Sequence, residues 1–261
     1  PMGNQNLPTT AISALRWQTI LDRTWLFVGT ALPRRNQIHV YALEEGLLNH
    51  LGGLSGHEDW ITCFDFSAPL LASGSNDARI RLWKISHDAS KDIYDDESRL
   101  EVVRGNQTTN ISLEALLLGH EGKVTGVAWH PNAKQTYDHD HVLISSSMDR
   151  SILFWAPAID DVWTPLTRVG SAGGILGGSV GSSLLGYCSI LIRGNQLVGH
   201  AYGGSLHVWT AHTNKAIEGT EIRWSATPCV TGHFDGVTDI CWEACNGDYL
   251  LSVSNDQTCQ R

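Results

Sequence analysis

An all-β chain is what this sequence predicts, on three observations. A Gly-His pair recurs three times and is followed each time by the same order of residues. The segments between are short apolar/polar alternations bounded by Gly, Asn, Asp and Ser, the signature of half-buried strands. No long stretch keeps the 3.6-residue apolar spacing of a helix.

Taken in order, Gly56-His57 leads to Ile61-Thr-Cys-Phe-Asp-Phe66, then Leu70-Leu-Ala-Ser-Gly-Ser-Asn-Asp77, then Ile80-Arg-Leu-Trp83. Gly119-His120 leads to Val124-Thr-Gly-Val-Ala-Trp129, then Val142-Leu-Ile-Ser-Ser-Ser-Met-Asp149, then Ile152-Leu-Phe-Trp155. Gly232-His233 leads to Val237-Thr-Asp-Ile-Cys-Trp242 and Tyr249-Leu-Leu-Ser-Val-Ser-Asn-Asp256. In the first two units Trp lies six residues after Asp, so the third would place its Trp just past Arg261. That spacing predicts a piece of a longer protein. Two weaker units flank these: residues 9–43 end in Gln37-Ile-His-Val-Tyr41, and residues 165–210 end in Ser205-Leu-His-Val-Trp209. The predicted units are 9–43, 50–85, 115–156, 165–210 and 228–261, the last incomplete. The stretch 86–113 is read as an acidic polar insert forming a solvated loop, because Asp88, Asp92, Asp95, Asp96, Glu97 and Glu101 outnumber Lys91, Arg99 and Arg104.

Composition narrows the function classes. Of 261 residues 42% are hydrophobic, which is enough for one or two packed domains. Ten Trp are unusual, since each needs a large buried surface and a partner for its indole N–H. With 18 Lys and Arg against 27 Asp and Glu, the formal net charge is −9, which disfavours nucleic-acid backbones and anionic lipid. No apolar run approaches the roughly 18 residues of a membrane span, and no secretory leader is visible, so cytosol or nucleus is expected, with no membrane partner. Cys63, Cys188, Cys229, Cys241, Cys245 and Cys259 form no Cys-x-x-Cys pair and are read as reduced thiols. The sequons at Asn106 and Asn110 are the only secretory hints.

Several constellations invite a chemical reading. Each clear unit offers Ser, His and Asp, the residue types of a hydrolytic triad. The set occurs three times, as His57, Ser73 and Asp77, as His120, Ser145 and Asp149, and as His233, Ser252 and Asp256, always with Ser four residues before Asp. An active site occurs once per domain, so a set repeated per unit belongs to the architecture. The Gly-rich run at 168–186 lacks the following Gly-Lys-Ser/Thr of a phosphate loop and reads as an inter-strand loop. Asp138-His139-Asp140-His141 would place two imidazoles on one face of a strand but brings no third ligand. Cys241 and Cys245 read as core or turn thiols. No catalytic, cofactor or metal residue is nominated.

The order Gly-His, Asp, then Trp six residues on resembles the WD40 repeat family, and its motifs cover most of the chain. That resemblance implies a β-propeller, here a partial arc of about five blades. It also implies structural tetrads in which Trp, Ser, His and Asp satisfy one another: His57, Ser73, Asp77 and Trp83; His120, Ser145, Asp149 and Trp155; His233, Ser252 and Asp256. The weaker units depart from the pattern. Gly203 and Gly199 occupy the Asp and Ser positions before Trp209, so that unit is expected to hold by apolar packing alone.

Longer strings resemble, in order, the WD40 scaffold subunits of the Elongator complex. Among them are Gly56-His-Glu-Asp-Trp60, Leu113-Glu-Ala-Leu-Leu-Leu-Gly-His-Glu121, Phe154-Trp-Ala-Pro157, Gly199-His-Ala-Tyr-Gly-Gly-Ser-Leu-His-Val-Trp209 and Gly232-His-Phe-Asp-Gly-Val-Thr-Asp239. What this resemblance implies is a non-catalytic scaffold supporting wobble-uridine modification of transfer RNA through protein contacts, with tRNA touched at most indirectly. Its partners would be the large scaffold subunit and the radical S-adenosylmethionine/acetyltransferase subunit. The alternative is a WD40 adaptor of a ubiquitin ligase or chromatin complex. Side chains just beyond the Gly-His and Asp turns, Glu58, Asp59, Trp60, Arg79, Lys123, Arg150, Phe234 and Asp235, form the expected partner-binding rim.

Overall fold

The computed structural model describes residues 11–20, 23–31, 37–86, 99–104, 107–170, 186–216, 219–243 and 248–261. They divide into two compact units, Pro1–Gly119 and His120–Arg261.

The first unit holds two antiparallel sheets. One is built from β1 (Ile12–Ile20), β2 (Arg23–Thr30), β3 (Ile38–Glu44) and β4 (Leu47–Leu54) in sequence order. The other runs from β5 (Ile61–Ser67) through β6 (Leu70–Ser75) and β7 (Ile80–Ser86), and is completed by the hairpin of β8 (Leu100–Arg104) and β9 (Gln107–Leu117), in the order β5-β6-β7-β9-β8. Trp25, Phe27, Ile38 and Val40 of the first sheet pack with Ile61, Leu71, Trp83, Ile85 and Ile111 of the second in one buried core.

The second unit holds three sheets. The first comprises β10 (Val124–Trp129), β11 (Leu143–Ser147), β12 (Ser151–Pro157) and β13 (Trp163–Gly170), with the five-residue helix α1 (Ala133–Tyr137) between its first two strands. β14 (Tyr187–Arg193), β15 (Gln196–Ala201), β16 (Leu206–Ala216) and β17 (Gly219–Ala226) form the second. β18 (Val237–Trp242), β19 (Leu250–Ser254) and the two-residue β20 (Cys259–Gln260) form the third. Ile144, Ile152 and Phe154 meet Tyr187, Ile190 and Trp209 in one cluster, and Val198 and Leu206 meet Val237 and Ile240 in another.

A repeated register defect shows that all five sheets are variants of one design. Each first strand carries an irregularity at the same place: Ile12/Ala14, Ile61/Cys63, Val124/Gly126, Tyr187/Ser189 and Val237/Asp239. Three sheets carry another where the third strand meets the next, opposite Val40/Tyr41, Leu82/Trp83 and Phe154/Trp155, with the extra residue (Leu51, Glu114 or Leu166) on the partner strand. This second bulge puts Tyr41 at the position of Trp83 and Trp155. A bulge bends its strand and increases the local twist, so it is a built feature of the blade.

The structure corrects several boundaries. Residues 50–54 end β4 and belong to the preceding sheet, while the strand that follows β7 in the sheet begun at Ile61 lies at Gln107–Leu117. Likewise Trp163–Gly170 closes the sheet that contains Trp155, and does not open the next one. The expected loop at 86–113 contains β8 and the start of β9. Leu100 and Val102 are buried while Glu101 and Val103 are exposed, a period-two pattern that the acidic composition masked. Residues 87–98 of that stretch, and 171–185 of the Gly-rich run, lie outside the described residues. Asn110 is 4% exposed, too enclosed to carry a glycan. Cys63, Cys188, Cys229, Cys241 and Cys259 are free thiols; Cys241 is exposed, not a core thiol, and Cys245 lies outside the described residues.

Candidate functional site

The three Gly-His units build the same buried polar chain. In the second sheet of the first unit the Trp83 indole donates to Ser73 Oγ at 2.9 Å, Ser73 Oγ lies 2.8 Å from His57 Nε2, and His57 Nδ1 lies 3.0 Å from Asp77 Oδ2. In the sheet of Trp155 the matching distances are 2.8, 2.7 and 3.0 Å through Ser145, His120 and Asp149. Around His233 the Ser252 and Asp256 distances are 2.8 and 3.1 Å. The direction of the chain follows from donor counting. A carboxylate only accepts, so the histidine Nδ1–H donates to it, which leaves Nε2 to accept the serine hydroxyl, whose oxygen accepts the indole N–H.

Each aspartate is tied down further. Its Oδ2 accepts the backbone N–H that follows the histidine (Glu58, Glu121 and Phe234, at 3.0, 2.9 and 2.8 Å). Its Oδ1 accepts the N–H two residues on (Arg79, Ser151 and Thr258, at 2.9, 2.8 and 2.8 Å). The residue between takes left-handed backbone: Ala78 at φ 64, Arg150 at φ 70 and Gln257 at φ 67. Burial alone would raise the Asp77 carboxyl, but the hydrogen bond from His57, with the N–H groups of Glu58 and Arg79, outweighs it and holds it at about 2. Burial likewise opposes ionisation at Asp149, and the bonds from His120, Ser151 and Glu121 win, keeping its carboxyl well below the usual range. Burial pushes His57 below its ordinary value, so it sits neutral as the donor count requires.

This geometry does not suit hydrolysis. Ser73 and Ser145 are 0% exposed, and each hydroxyl oxygen already accepts an indole N–H, so no acyl group can reach it. What the arrangement does is fasten a tight turn to the third strand and to the loop before the first.

Two features escaped the sequence reading. Ser75, Ser147 and Ser254 each accept the backbone N–H of the tetrad aspartate, at 3.1, 3.0 and 3.2 Å. The signal was present, because a serine stands two residues before Asp in all three units. The other is Arg81, whose buried guanidinium lies 3.1 Å from His57 Nδ1 and 3.6 Å from Asp77. A Cβ on Gly56 would lie 2.8 Å from the Arg81 side chain, and one on Gly232 would strike Gln260, two strand positions equivalent to each other. Gly56 also takes a backbone φ of 145, a conformation that side-chain-bearing residues rarely adopt, and this is the firmer reason for a glycine there.

The Trp209 sheet departs from this plan, and not by apolar packing alone. Gly199 stands where the serine would be, and a Cβ there would lie 3.1 Å from the Tyr187 ring. Tyr187, His207 and Trp209 pack ring on ring, with centroids 5.7 to 6.0 Å apart. His207 Nε2 is 3.1 Å from Ser205 Oγ, so one polar bond survives in a new place. The turn is kept as well: Gly204 takes the left-handed position at φ 85, and a Cβ on it would lie 2.6 Å from the Asp235 carbonyl.

The expected rim residues fall in both units. Glu58, Asp59, Trp60 and Arg79 belong to the first, where Arg79 pairs with Glu58 and Trp60 is 48% exposed. Asp59 is spent on its own turn, accepting the Trp60 N–H at 2.7 Å and the Asn76 amide. Lys123, Arg150, Phe234 and Asp235 belong to the second, where the Phe234 side chain is 95% exposed and Asp235 accepts the Gly236 N–H at 2.6 Å. Tyr202, 57% exposed on the turn against Asp235, was missed; its place one residue before the absent aspartate was the available clue. His139 and His141 converge on nothing: His141 packs edge-on to Trp129, and Lys134 takes Asp138 and Asp140 at 3.3 and 3.4 Å. Among the described residues no group of three or more His, Cys, Asp or Glu could hold a metal ion, and no helix is long and apolar enough to cross a membrane.

Repeated four-residue polar chains on antiparallel blades define a WD40 β-propeller, and the chain carries WD40 repeats. The family model for the WD domain, G-beta repeat, matches residues 48–84, 112–156 and 224–260. Each match starts on or close to the outer strand of one sheet and takes in strands of the next, the offset seen in the boundaries above. The chain is similar to Elongator complex protein 2: 34% identical to that of Drosophila melanogaster over 78% of this chain, 31% to that of Homo sapiens over 85%, and 33% to that of Arabidopsis thaliana over 85%. It spans about a quarter of their length, 26%, 27% and 28% respectively. Two computationally designed proteins, Ika4 and Ika8, share the fold. Ika4 matches with TM-score 0.50 at 18% identity over 77% of this chain and 92% of its own. Ika8 matches with TM-score 0.53 at 16% identity over 95% and 70%.

Proposed function

We propose that the chain is a non-catalytic scaffold segment of the Elongator complex, supporting wobble-uridine modification of tRNA through protein–protein contacts. The observation that carries this is similarity to Elongator complex protein 2 across animals and a plant, on blades whose Ser-His-Asp sets are consumed by structure. Docking is assigned to the loops after Gly-His, taken one unit at a time: Trp60 stands exposed on the loop that carries the Glu58–Arg79 pair, and Phe234 stands exposed next to Asp235. Aromatic groups next to Arg and Asp are the composition of interface hot spots. The partners are the large scaffold subunit and the catalytic subunit, in the cytosol or nucleus, with tRNA reached only through them.

Affinity purification of the full-length protein from its native source, read by mass spectrometry, tests the assignment. Elongator subunits are the expected co-purifying set; a ubiquitin-ligase or chromatin complex in their place would overturn it. The double substitution Trp60→Ala with Phe234→Ala should weaken that co-purification and lower wobble-uridine modification while leaving the thermal midpoint nearly unchanged, since neither ring is in the core. Intact assembly and modification would remove the rim from consideration.

A further inference from the structure

The outer half of the first sheet brings together two imidazoles that no tetrad uses. His39 lies on β3 and His50 on β4, eleven residues apart, and His39 Nδ1 is 3.3 Å from His50 Nε2. The bulge makes this possible. Val40 pairs with Gly52 but Tyr41 pairs with His50, so Leu51 is the extra residue. Paired residues of an antiparallel ladder share a face, which puts His50 on the face of Tyr41 and therefore of His39. In an unbulged ladder Leu51 would pair with Tyr41, and His50 would oppose Ala42 and point the other way. The Tyr41 ring, 4.9 Å from the His50 ring, supports that imidazole from beneath.

The separation is that of a long hydrogen bond, and it also suits two ligands of one shared ion. A good N–H donor distance ends near 3.2 Å, with most about 2.9 to 3.0 Å. Two Zn–N bonds of about 2.05 Å at the tetrahedral angle place their nitrogens about 3.3 to 3.4 Å apart. We propose that His39 and His50 form an open two-imidazole site for a divalent transition metal of the zinc class, with the remaining coordination positions left to water. Imidazole nitrogen is a preferred donor for Zn, Ni and Cu ions.

The full chain, stripped of metal, is titrated with ZnCl2 and with NiCl2 by calorimetry, and with CoCl2 by visible absorption. The expected result is one dominant ion per chain that raises the thermal midpoint, because a ligand bound only to the folded state stabilises it. His39→Gln and His50→Gln, which keep a hydrogen-bonding side chain across the pair, should retain the parent's metal-free midpoint while weakening the ion at least about ten-fold. Alanine at either position should do the same to affinity, and the glutamine variants carry the test if an alanine variant fails to fold. Uptake by both glutamine variants with the parent's stoichiometry and affinity would place the ion elsewhere, on the free thiols or on the Asp138–His141 loop, and overturn the proposal. So would absence of uptake by the parent.

Discussion

In the sheet of β10–β13 the Trp155 indole donates to Ser145, whereas in the neighbouring sheet of β14–β17 the matching Trp209 stands over Gly199. Both indoles are nearly fully buried, at 1% and 4% exposed, and both sheets keep the first-strand bulge and the left-handed turn residue. They differ in how the space between strand and turn is filled. One uses four polar groups that satisfy one another in a buried setting, where each depends on the rest. The other fills the space with the rings of Tyr187 and His207. The comparison separates what the blade shape needs from what the tetrad adds. Bulge and turn are common to both, so strand register does not depend on the tetrad, which instead adds a strong coupling between loop, turn and third strand.

The second solution leaves polar groups behind. On the sheet with no tetrad the Tyr187 hydroxyl is buried without a hydrogen-bond partner among the described residues, and the buried His200 ring has only the Val237 backbone to lean on. Burial lowers the His200 pKa to about 4, with the Asp239 charge and the nearby Val237 backbone working against it. His130, in the tetrad sheet, is also lowered to about 4 by burial, and its Nε2 is unpartnered.

Acid sets the largest expected effect. A histidine with a depressed folded pKa stays neutral while the unfolded chain takes up a proton, so its contribution is intact above about pH 6.5 and is lost as pH falls toward 4. A shift of that size amounts to roughly 3 kcal/mol for each of His200 and His130. The tetrad carboxylates act in a lower window. Asp77 and Asp149 keep their contribution above the ordinary carboxylate range near 4, and lose it only as pH falls further, toward about 2 for Asp77. Denaturant unfolding followed between pH 7 and 4 should therefore lose stability before the aspartates protonate. His200→Leu should flatten its share of that slope, and an unchanged slope would show that His200 is not the group.

Next in size is His120→Ala. It leaves Ser145 and Asp149 each short of a partner and opens the turn, which should cost about 1 to 3 kcal/mol. His207→Phe in the neighbouring sheet keeps the ring against Trp209 and gives up only the Ser205 bond, so it should cost less than His120→Ala. Equal costs, measured by chemical denaturation, would mean that the ring cluster is as tightly coupled as the tetrad.

How much of this was legible in the sequence depended on whether a feature repeats. The tetrads were readable because His, Ser, Asp and Trp recur at fixed spacing, and the Ser75, Ser147 and Ser254 caps were readable by the same rule. Sheet boundaries were not, because a repeat in sequence begins on the outer strand of the preceding sheet, and only the hydrogen-bonded ladder shows which side Leu54 or Trp163 belongs to. β8 was hidden because two buried positions, Leu100 and Val102, are a weak signal inside an acidic stretch. Tyr187 in the Gly199 gap and the His39–His50 pair were out of reach, since both depend on side chains whose faces are set by a bulge.

Gly199→Ser is the smallest expected effect and the sharpest test, because the two accounts of the Trp209 sheet give it opposite signs. If that sheet is a tetrad that has merely lost its members, restoring the serine gives the indole an acceptor and the chain a stiffer unfolded state, and stability should rise by about 0.5 to 1 kcal/mol. If the space is already filled, the new Cβ meets the Tyr187 ring at 3.1 and 3.3 Å and the Trp209 ring at 3.4 Å, tighter than side chains ordinarily allow. Overpacking of this kind costs about 1 to 3 kcal/mol. Here the contact is with rings locked against each other and against His207, so neither can swing aside without opening the cluster. Subtracting the gain from a less flexible unfolded chain leaves a net loss of about 1 kcal/mol. Pairing the change with Tyr187→Leu should relieve the clash and reverse the sign; a serine that stabilises the parent on its own would show that the gap at Gly199 is empty rather than occupied.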